Sequence, residues 1–159
     1  MHTKKSWLAL ALVACFLGCK PQPPPPHTDG LPQDLLASAA RFYDAYARDL
    51  RAGHGGALAQ YYAPEGAFIA VAGHRMRLSR SSIDSIYQTS WQGPAYFAWD
   101  SLTFDSLSPS LVLVTGGFRW QAAGSRDTTP FIYVSLLEAV DSGLALRFEH
   151  ETPKPRSKR

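Results

Sequence analysis

Between residues 33 and 51 the apolar side chains Leu35, Leu36, Ala39, Phe42, Tyr43, Tyr46, Ala47 and Leu50 recur at intervals of three and four. That spacing lines one face of a long α-helix, with Asp34 in the first turn, where an acid suits the helix dipole. Gly53-His54-Gly55-Gly56 ends it, and Ala57–Tyr62 reads as a short second helix stopped near Pro64. A hairpin is expected next, with strands Ala67–Ala72 and Arg75–Leu78 about a turn at Gly73-His74. Ser79 or Ser81 then caps a third helix that runs through Ile83, Ile86 and Tyr87 to about Trp91.

After Gly93-Pro94 the period changes to two. Four strands are predicted, at Tyr96–Leu107, Leu111–Ala122, Thr129–Val140 and Leu144–Glu151, joined by short turns that favour consecutive antiparallel pairing. In the first, Phe97 and Trp99 alternate one way and Leu102 and Phe104 the other, which predicts a bulge near Asp100-Ser101. Gly116-Gly117 invites a bend in the next strand. A meander that bends in mid-strand wraps around helices instead of lying flat.

The N-terminal segment follows neither period. Lys4 and Lys5 precede an apolar run from Trp7 to Leu17, the layout of an export signal, and the run is shorter than the roughly 20 residues that span a bilayer. Both cysteines of the chain, Cys15 and Cys19, lie here. Leu12-Val-Ala-Cys15 and Phe16-Leu-Gly-Cys19 each resemble the lipobox of bacterial lipoproteins, in which the cysteine is lipidated. Cys19 is preferred for its longer apolar run and Cys15 is the alternative; an ordinary signal peptide with incidental cysteines is the rival reading. Lys20-Pro-Gln-Pro-Pro-Pro-Pro26 favours polyproline II and suits a tether. At about 3.1 Å per residue, such a tether to Pro32 reaches on the order of 40 Å. The expected organisation is therefore signal peptide 1–18, Pro-rich tether 19–32, folded domain 33–152 and basic disordered tail 153–159. For a Gram-negative cell the resemblance implies a lipid anchor in the outer membrane facing the periplasm, since Lys20 is not the aspartate that signals retention.

Charge sharpens this division. The chain has a net charge of +3, but residues 30–153 hold nine arginines, no lysine and twelve acids, a net −3. The basic groups sit at the two ends, so the high isoelectric point does not describe a nucleic-acid-binding surface. No nucleic-acid partner is expected.

The order of elements, three helices and then a curved antiparallel sheet with a hairpin between helices two and three, resembles the nuclear-transport-factor-2-like superfamily. Local runs carry the likeness too. Phe42-Tyr-Asp-Ala-Tyr46 with Arg51-Ala-Gly53, Ala57-Leu-Ala-Gln-Tyr-Tyr-Ala-Pro-Glu-Gly66 with Phe68, Leu113-Val-Thr-Gly116 and the stretch from Asp141-Ser-Gly143 to Phe148-Glu-His150 are similar to passages of SnoaL-like domains. The resemblance covers residues 33–152 and implies an α+β cone-shaped fold, with three N-terminal helices packed in a strongly curved sheet. It also implies a ligand pocket between helix one and the concave face, and a tendency to form homodimers.

Seventeen aromatic residues fall in the folded body. Most must fill the core. Tyr43, Tyr46, Trp99, Trp120, Tyr133, Phe148 and His150 are the candidate pocket residues. His150 stands out because Leu144, Leu146, Phe148 and His150 alternate onto one strand face, expected to be concave, where an imidazole could act as a general base with Tyr46 or orient a ligand. The bland reading is an imidazole bonded to a tyrosine or a carbonyl. Glu149 and Glu151 alternate to the opposite face and are expected in solvent. His54 and His74 sit in turns.

Resemblance to ketosteroid isomerase places Tyr46 at the position of that enzyme's helix-one tyrosine, but puts Ala70 where its carboxylate base should be. Its second acid should lie within Phe131-Ile-Tyr-Val-Ser135, which has no carboxylate. Isomerase chemistry of that kind is not expected, and the same lack of an inward acid argues against a SnoaL-type aldol cyclase. No cysteine and no histidine spacing in the body suits a metal, and neither a phosphate-binding glycine loop nor a nucleophile elbow is present. Asp100, Asp105 and Asp127 read as turn or rim residues. No cofactor is expected. The preferred reading is an envelope-tethered, non-catalytic module binding a small apolar or aromatic ligand. The alternatives are a lyase, isomerase or hydrolase using His150 with Tyr46, and a dimerisation or partner-binding module using the sheet face.

Overall fold

The computed structural model describes residues 31–71 and 73–155. The expected export signal, the lipidation cysteine Cys19 or Cys15, the tether as far as residue 30 and the end of the basic tail lie outside these residues.

Helix α1 spans Leu31–Ala52 and turns Ala39, Tyr43, Tyr46, Ala47 and Leu50 inward, the face its periodicity marks. It closes on Gly53, whose φ of 68° is left-handed, with the Gly53 N–H bonded to the Leu50 carbonyl and the His54 N–H to the Asp49 carbonyl. This Schellman arrangement satisfies two of the last carbonyls of the helix. The expected second helix divides into a single turn, α2 (Gly55–Leu58), and a 3-10 turn at Ala59–Tyr61. Strands β1 (Ala67–Val71) and β2 (His74–Leu78) form the hairpin. Helix α3 spans Arg80–Thr89, and its cap is Ser79, whose hydroxyl accepts from the Ser82 N–H at 3.1 Å.

The remaining chain forms β3 (Pro94–Ser108), β4 (Leu111–Ala122), β5 (Thr129–Val140) and β6 (Gly143–Pro153). Strand β6 includes Pro153, where the tail was expected to begin, and the Lys154 N–H donates to the Pro130 carbonyl at 2.8 Å. The six strands make one curved sheet in the order β2-β1-β6-β5-β4-β3. Pairing is antiparallel throughout except that β1 lies parallel to β6. That pair joins the hairpin to the far end of the meander.

Four register shifts interrupt the pairing, and two of them shape the site. In β3, Trp99 pairs with Phe118 and Ser101 with Gly117, so Asp100 is the extra residue, at the predicted place. Gly116 lies against this bend, and a Cβ there would fall 2.0 Å from the Ser101 carbonyl oxygen, so the close approach requires glycine. In β6, Leu146 pairs with Leu137 and Phe148 with Leu136, which makes Arg147 the extra residue. Arg147 bonds Glu65 and Glu138 at 2.8 Å each.

The cone is filled unevenly. Tyr43 of α1 packs with Phe104, and Val112, Val114, Leu137 and Leu146 are fully buried in the same core. Toward α3 the walls draw apart around a cavity.

Candidate functional site

The cavity measures about 470 Å³. Tyr46 and Leu50 of α1 form one wall, Ile83, Ile86 and Tyr87 of α3 a second, and Phe97, Trp99, Phe118, Trp120 and Phe131 of β3, β4 and β5 a third. Trp91, Met76 and Val71 also border it. These aromatic groups hold one another in place: Trp99 meets Phe118 edge-on with centroids 5.6 Å apart, and Phe118 stacks on Phe131 at 4.8 Å.

The polar groups of this pocket are few and gathered on one side. Glu149 and Glu151 both line it, two residues apart on β6 and therefore on one face of that strand, with Cα atoms roughly 6.6 Å apart. Glu149 is only 4 % exposed, and Glu151 is half-buried. The Tyr62 hydroxyl donates to Glu149, lying 3.3 Å from one carboxylate oxygen and 3.4 Å from the other. The Tyr133 hydroxyl donates to Oε2 at 3.3 Å. A second tier of phenols stands behind these. The Tyr87 hydroxyl is 3.1 Å from that of Tyr62, the Tyr46 hydroxyl is 3.5 Å from both, and Tyr43 bonds Tyr133 at 3.2 Å and also Ser135. Among the described residues no buried side-chain nitrogen or oxygen lacks a hydrogen-bond partner. Glu151 accepts no hydrogen bond from the described residues, and none of the described Lys, Arg or His side chains lines the pocket.

Burial governs the ionisation of this cluster. It pushes the Glu149 carboxyl up to about 7, against the opposing pull of the hydrogen bonds from Tyr133 and Tyr62. Burial, and then the neighbouring Glu149, raise Glu151 well above the ordinary carboxylate range. The phenols of Tyr46, Tyr62, Tyr87 and Tyr133 are held above their usual value by the same loss of water, so they remain protonated donors. The site therefore presents an acidic pair able to exchange a proton near neutral pH, backed by hydroxyl donors and enclosed by apolar rings. Among the described residues no group of three or more His, Cys, Asp or Glu could hold a metal ion.

The sequence candidates divide accordingly. Tyr46, Trp99 and Trp120 border the cavity. Tyr43 and Tyr133 lie one layer deeper, fully buried, where they support Glu149. Phe148 and His150 do not reach the pocket: they are on the outer face of the sheet, Phe148 stacked on Phe68 at 5.9 Å and the exposed His150 bonded to Thr152 Oγ1 at 2.7 Å. His150 and Tyr46 are thus on opposite sides of the sheet and cannot act as a pair. Glu149 and Glu151, expected in solvent, take the inward places instead. The cause is the bulge at Arg147. It adds one residue after Leu146, so the alternation that points Leu146 inward points Phe148 outward. The inward acid sought on β5 is present after all, one strand further along. Sequence reasoning also passed over Tyr62 and Tyr87; two consecutive tyrosines beside Pro64 offer no periodic sign of which one is buried.

No protein-family model and no curated protein matches the sequence. Solved structures do match in shape. A nuclear transport factor 2-like superfamily protein from Salmonella enterica aligns with a TM-score of 0.66 at 10 % identity, over 79 % of this chain and 95 % of that one. An NTF-2-like protein of unknown function from Shewanella oneidensis aligns at 0.64 with 14 % identity, over 73 % and 97 % of the two chains. The hexachlorocyclohexane dehydrochlorinase LinA-type3 from Novosphingobium barchaimii aligns at 0.62 with 13 % identity, over 77 % and 88 %. At these identities the likeness concerns the fold alone, and the fold it identifies is the α+β cone of the nuclear-transport-factor-2-like proteins.

Proposed function

We propose that the domain binds a small, largely apolar, ring-bearing molecule in its cone, with the molecule's polar group turned toward Glu149 and Tyr62. The observation that carries this reading is the cavity itself. Its volume of about 470 Å³ falls among small-molecule sites, which run roughly 300–1,000 Å³, and it shares their apolar lining with a few clustered polar groups. An envelope setting completes the proposal: lipidated at Cys19, or at Cys15, the chain would be anchored to the membrane, and residues 19–32 would hold the domain away from it. The reading is tested by titrating the full chain with naphthol and following tryptophan emission, since Trp91, Trp99 and Trp120 all border the cavity. Saturable binding that disappears in Ile69→Trp, which fills the cavity, is expected. Failure of naphthol to bind, or equal binding by the filled variant, overturns it.

One observation favours a catalytic second reading. Glu149 is a buried carboxyl titrating near neutrality beside phenol donors, the equipment of a general acid or base for lyase or isomerase chemistry, and it would stand in the role His150 cannot fill. Substrate turnover lost in Glu149→Gln while binding persists would favour this reading over simple binding. On the outer face, Phe68 at 41 % and Ile132 at 45 % exposed would offer a second copy of the chain an apolar surface, and sedimentation showing only monomer would count against such a homodimer.

A further inference from the structure

The walls of the cavity would accept almost any apolar ring compound, but its polar side is not neutral in its preferences. Glu149 and Glu151 face it together, and no described cationic side chain answers them. The groups that pack around Glu149 are Tyr43 and Tyr46 from α1, Tyr62, Tyr87 from α3, Tyr133 from β5 and Glu151 from β6 itself, with Ile69 of β1 alongside in register. Every titratable member of that set is either a phenol or another acid. The phenols supply hydrogen bonds to one carboxylate, and none of the described residues supplies positive charge to either.

We infer that the pocket selects organic cations, molecules with an apolar ring-bearing body and a single primary ammonium group, the body lying among the tryptophans and the ammonium reaching Glu149 and Glu151. The inference rests on the binding function proposed above and names the ligand class. An ammonium group brings the missing charge and up to three donors, whereas the two acids hold unused acceptor positions. Charge-assisted hydrogen bonds of this kind are roughly twice as strong as neutral ones, and a water-poor apolar enclosure weakens the screening that would blunt them. Aromatic walls favour the same ligands, because the faces of Trp and Tyr attract cations. A carboxylate ligand meets the opposite situation and is repelled.

Proton balance gives the inference a second signature. Where the pair holds a proton, binding an ammonium displaces it to solvent, leaving carboxylate beside ammonium; no bond to carbon changes. Amine affinity therefore rises with pH as Glu149 ionises, while a neutral ligand of the same shape shows no such rise.

The experiment compares phenylbutylamine, phenylbutanol and phenylbutyrate on the full chain at pH 8 and pH 5.5 by tryptophan fluorescence and calorimetry. Expected is tighter binding of the amine than of the alcohol by about tenfold or more at pH 8, the factor that a single charge-assisted contact supplies, with the carboxylate weakest. Glu149→Gln should weaken amine binding by about tenfold and bring it down to the level of the alcohol, since the amide preserves shape without charge. Should that variant fail to fold, the wild-type pH series decides alone: amine affinity rises from pH 5.5 to 8 and alcohol affinity stays level. Equal binding of alcohol and amine at both pH values overturns cation selection and leaves pocket binding standing. If none of the three compounds binds, pocket binding itself fails, and cation selection fails with it.

Discussion

The Tyr62 hydroxyl lies almost equally far from the two carboxylate oxygens of Glu149, at 3.3 and 3.4 Å, so it supports either oxygen as the carbonyl or hydroxyl partner of a protonated acid. Such an arrangement suits a carboxyl that changes protonation in place. Because burial raises Glu149 from 4.5 to about 7, the folded chain holds that proton more tightly than the unfolded chain does. The native state thus binds more protons across this window, and stability falls as pH rises from about 4.5 through about 7. Urea unfolding of the ligand-free chain should show a loss on the order of 3 kcal/mol between pH 5 and pH 8. Glu149→Gln should remove the share of that slope due to Glu149 and leave the share of Glu151, which burial raises in its own right. Asp49, held below its ordinary value chiefly by the Tyr61 hydrogen bond, changes stability only in more acidic solution and leaves this window alone.

Removing the Tyr62 hydroxyl acts on the same profile from the other side. Its hydrogen bond favours the charged form of Glu149, so Tyr62→Phe should raise the carboxyl further and move the midpoint of the stability profile to higher pH. An unmoved midpoint in the same urea series would show that this bond does not tune the acid.

His150→Ala should be close to silent. The imidazole is exposed on the outer face and bonds a neighbouring threonine, so the change in stability should stay within about 0.5 kcal/mol and naphthol binding should be unaltered. Lost binding in that variant would contradict the face assigned to this residue.

Much of this architecture is written in local pattern. The three-and-four spacing from Leu35 to Leu50 marks the buried face of α1, Ser79 announces its helix, and the parity change between Trp99 and Leu102 gives away the bulge at Asp100. The second bulge has no such trace. Leu144, Leu146 and Phe148 keep perfect alternation in sequence, so a strand without interruption predicts Phe148 inward and Glu149 outward. What reverses them is tertiary: Leu146 is held in the core beside Tyr62, Phe148 meets Phe68 across the parallel pairing with β1, and the residue between is drawn aside by Glu65 and Glu138. The parallel β1–β6 pair joins segments far apart in sequence, and no periodicity within either reports it.

Gly116 offers a test of the first bulge. Gly116→Ala should destabilise by about 1–3 kcal/mol or more, because its methyl group would meet the Ser101 carbonyl in backbone that cannot swing away. Gly56 in α2 has open space around its Cβ position, and Gly56→Ala should be stabilising by about 0.4–1 kcal/mol. Thermal melts of the two variants check both signs.

Arg147 gives this fold an unusual kind of versatility. Glu149 and His150 are adjacent in the chain, and whether Arg147 stands out of the ladder or pairs within it decides which of them the pocket meets. A related chain in which residue 147 paired within the ladder, with every position unchanged, would present an imidazole to the ligand and a carboxylate to the outside. Within such a lineage, flattening of one bulge would exchange one functional group for another without altering either. Position-by-position comparison of aligned residues would then misjudge which members share a chemistry.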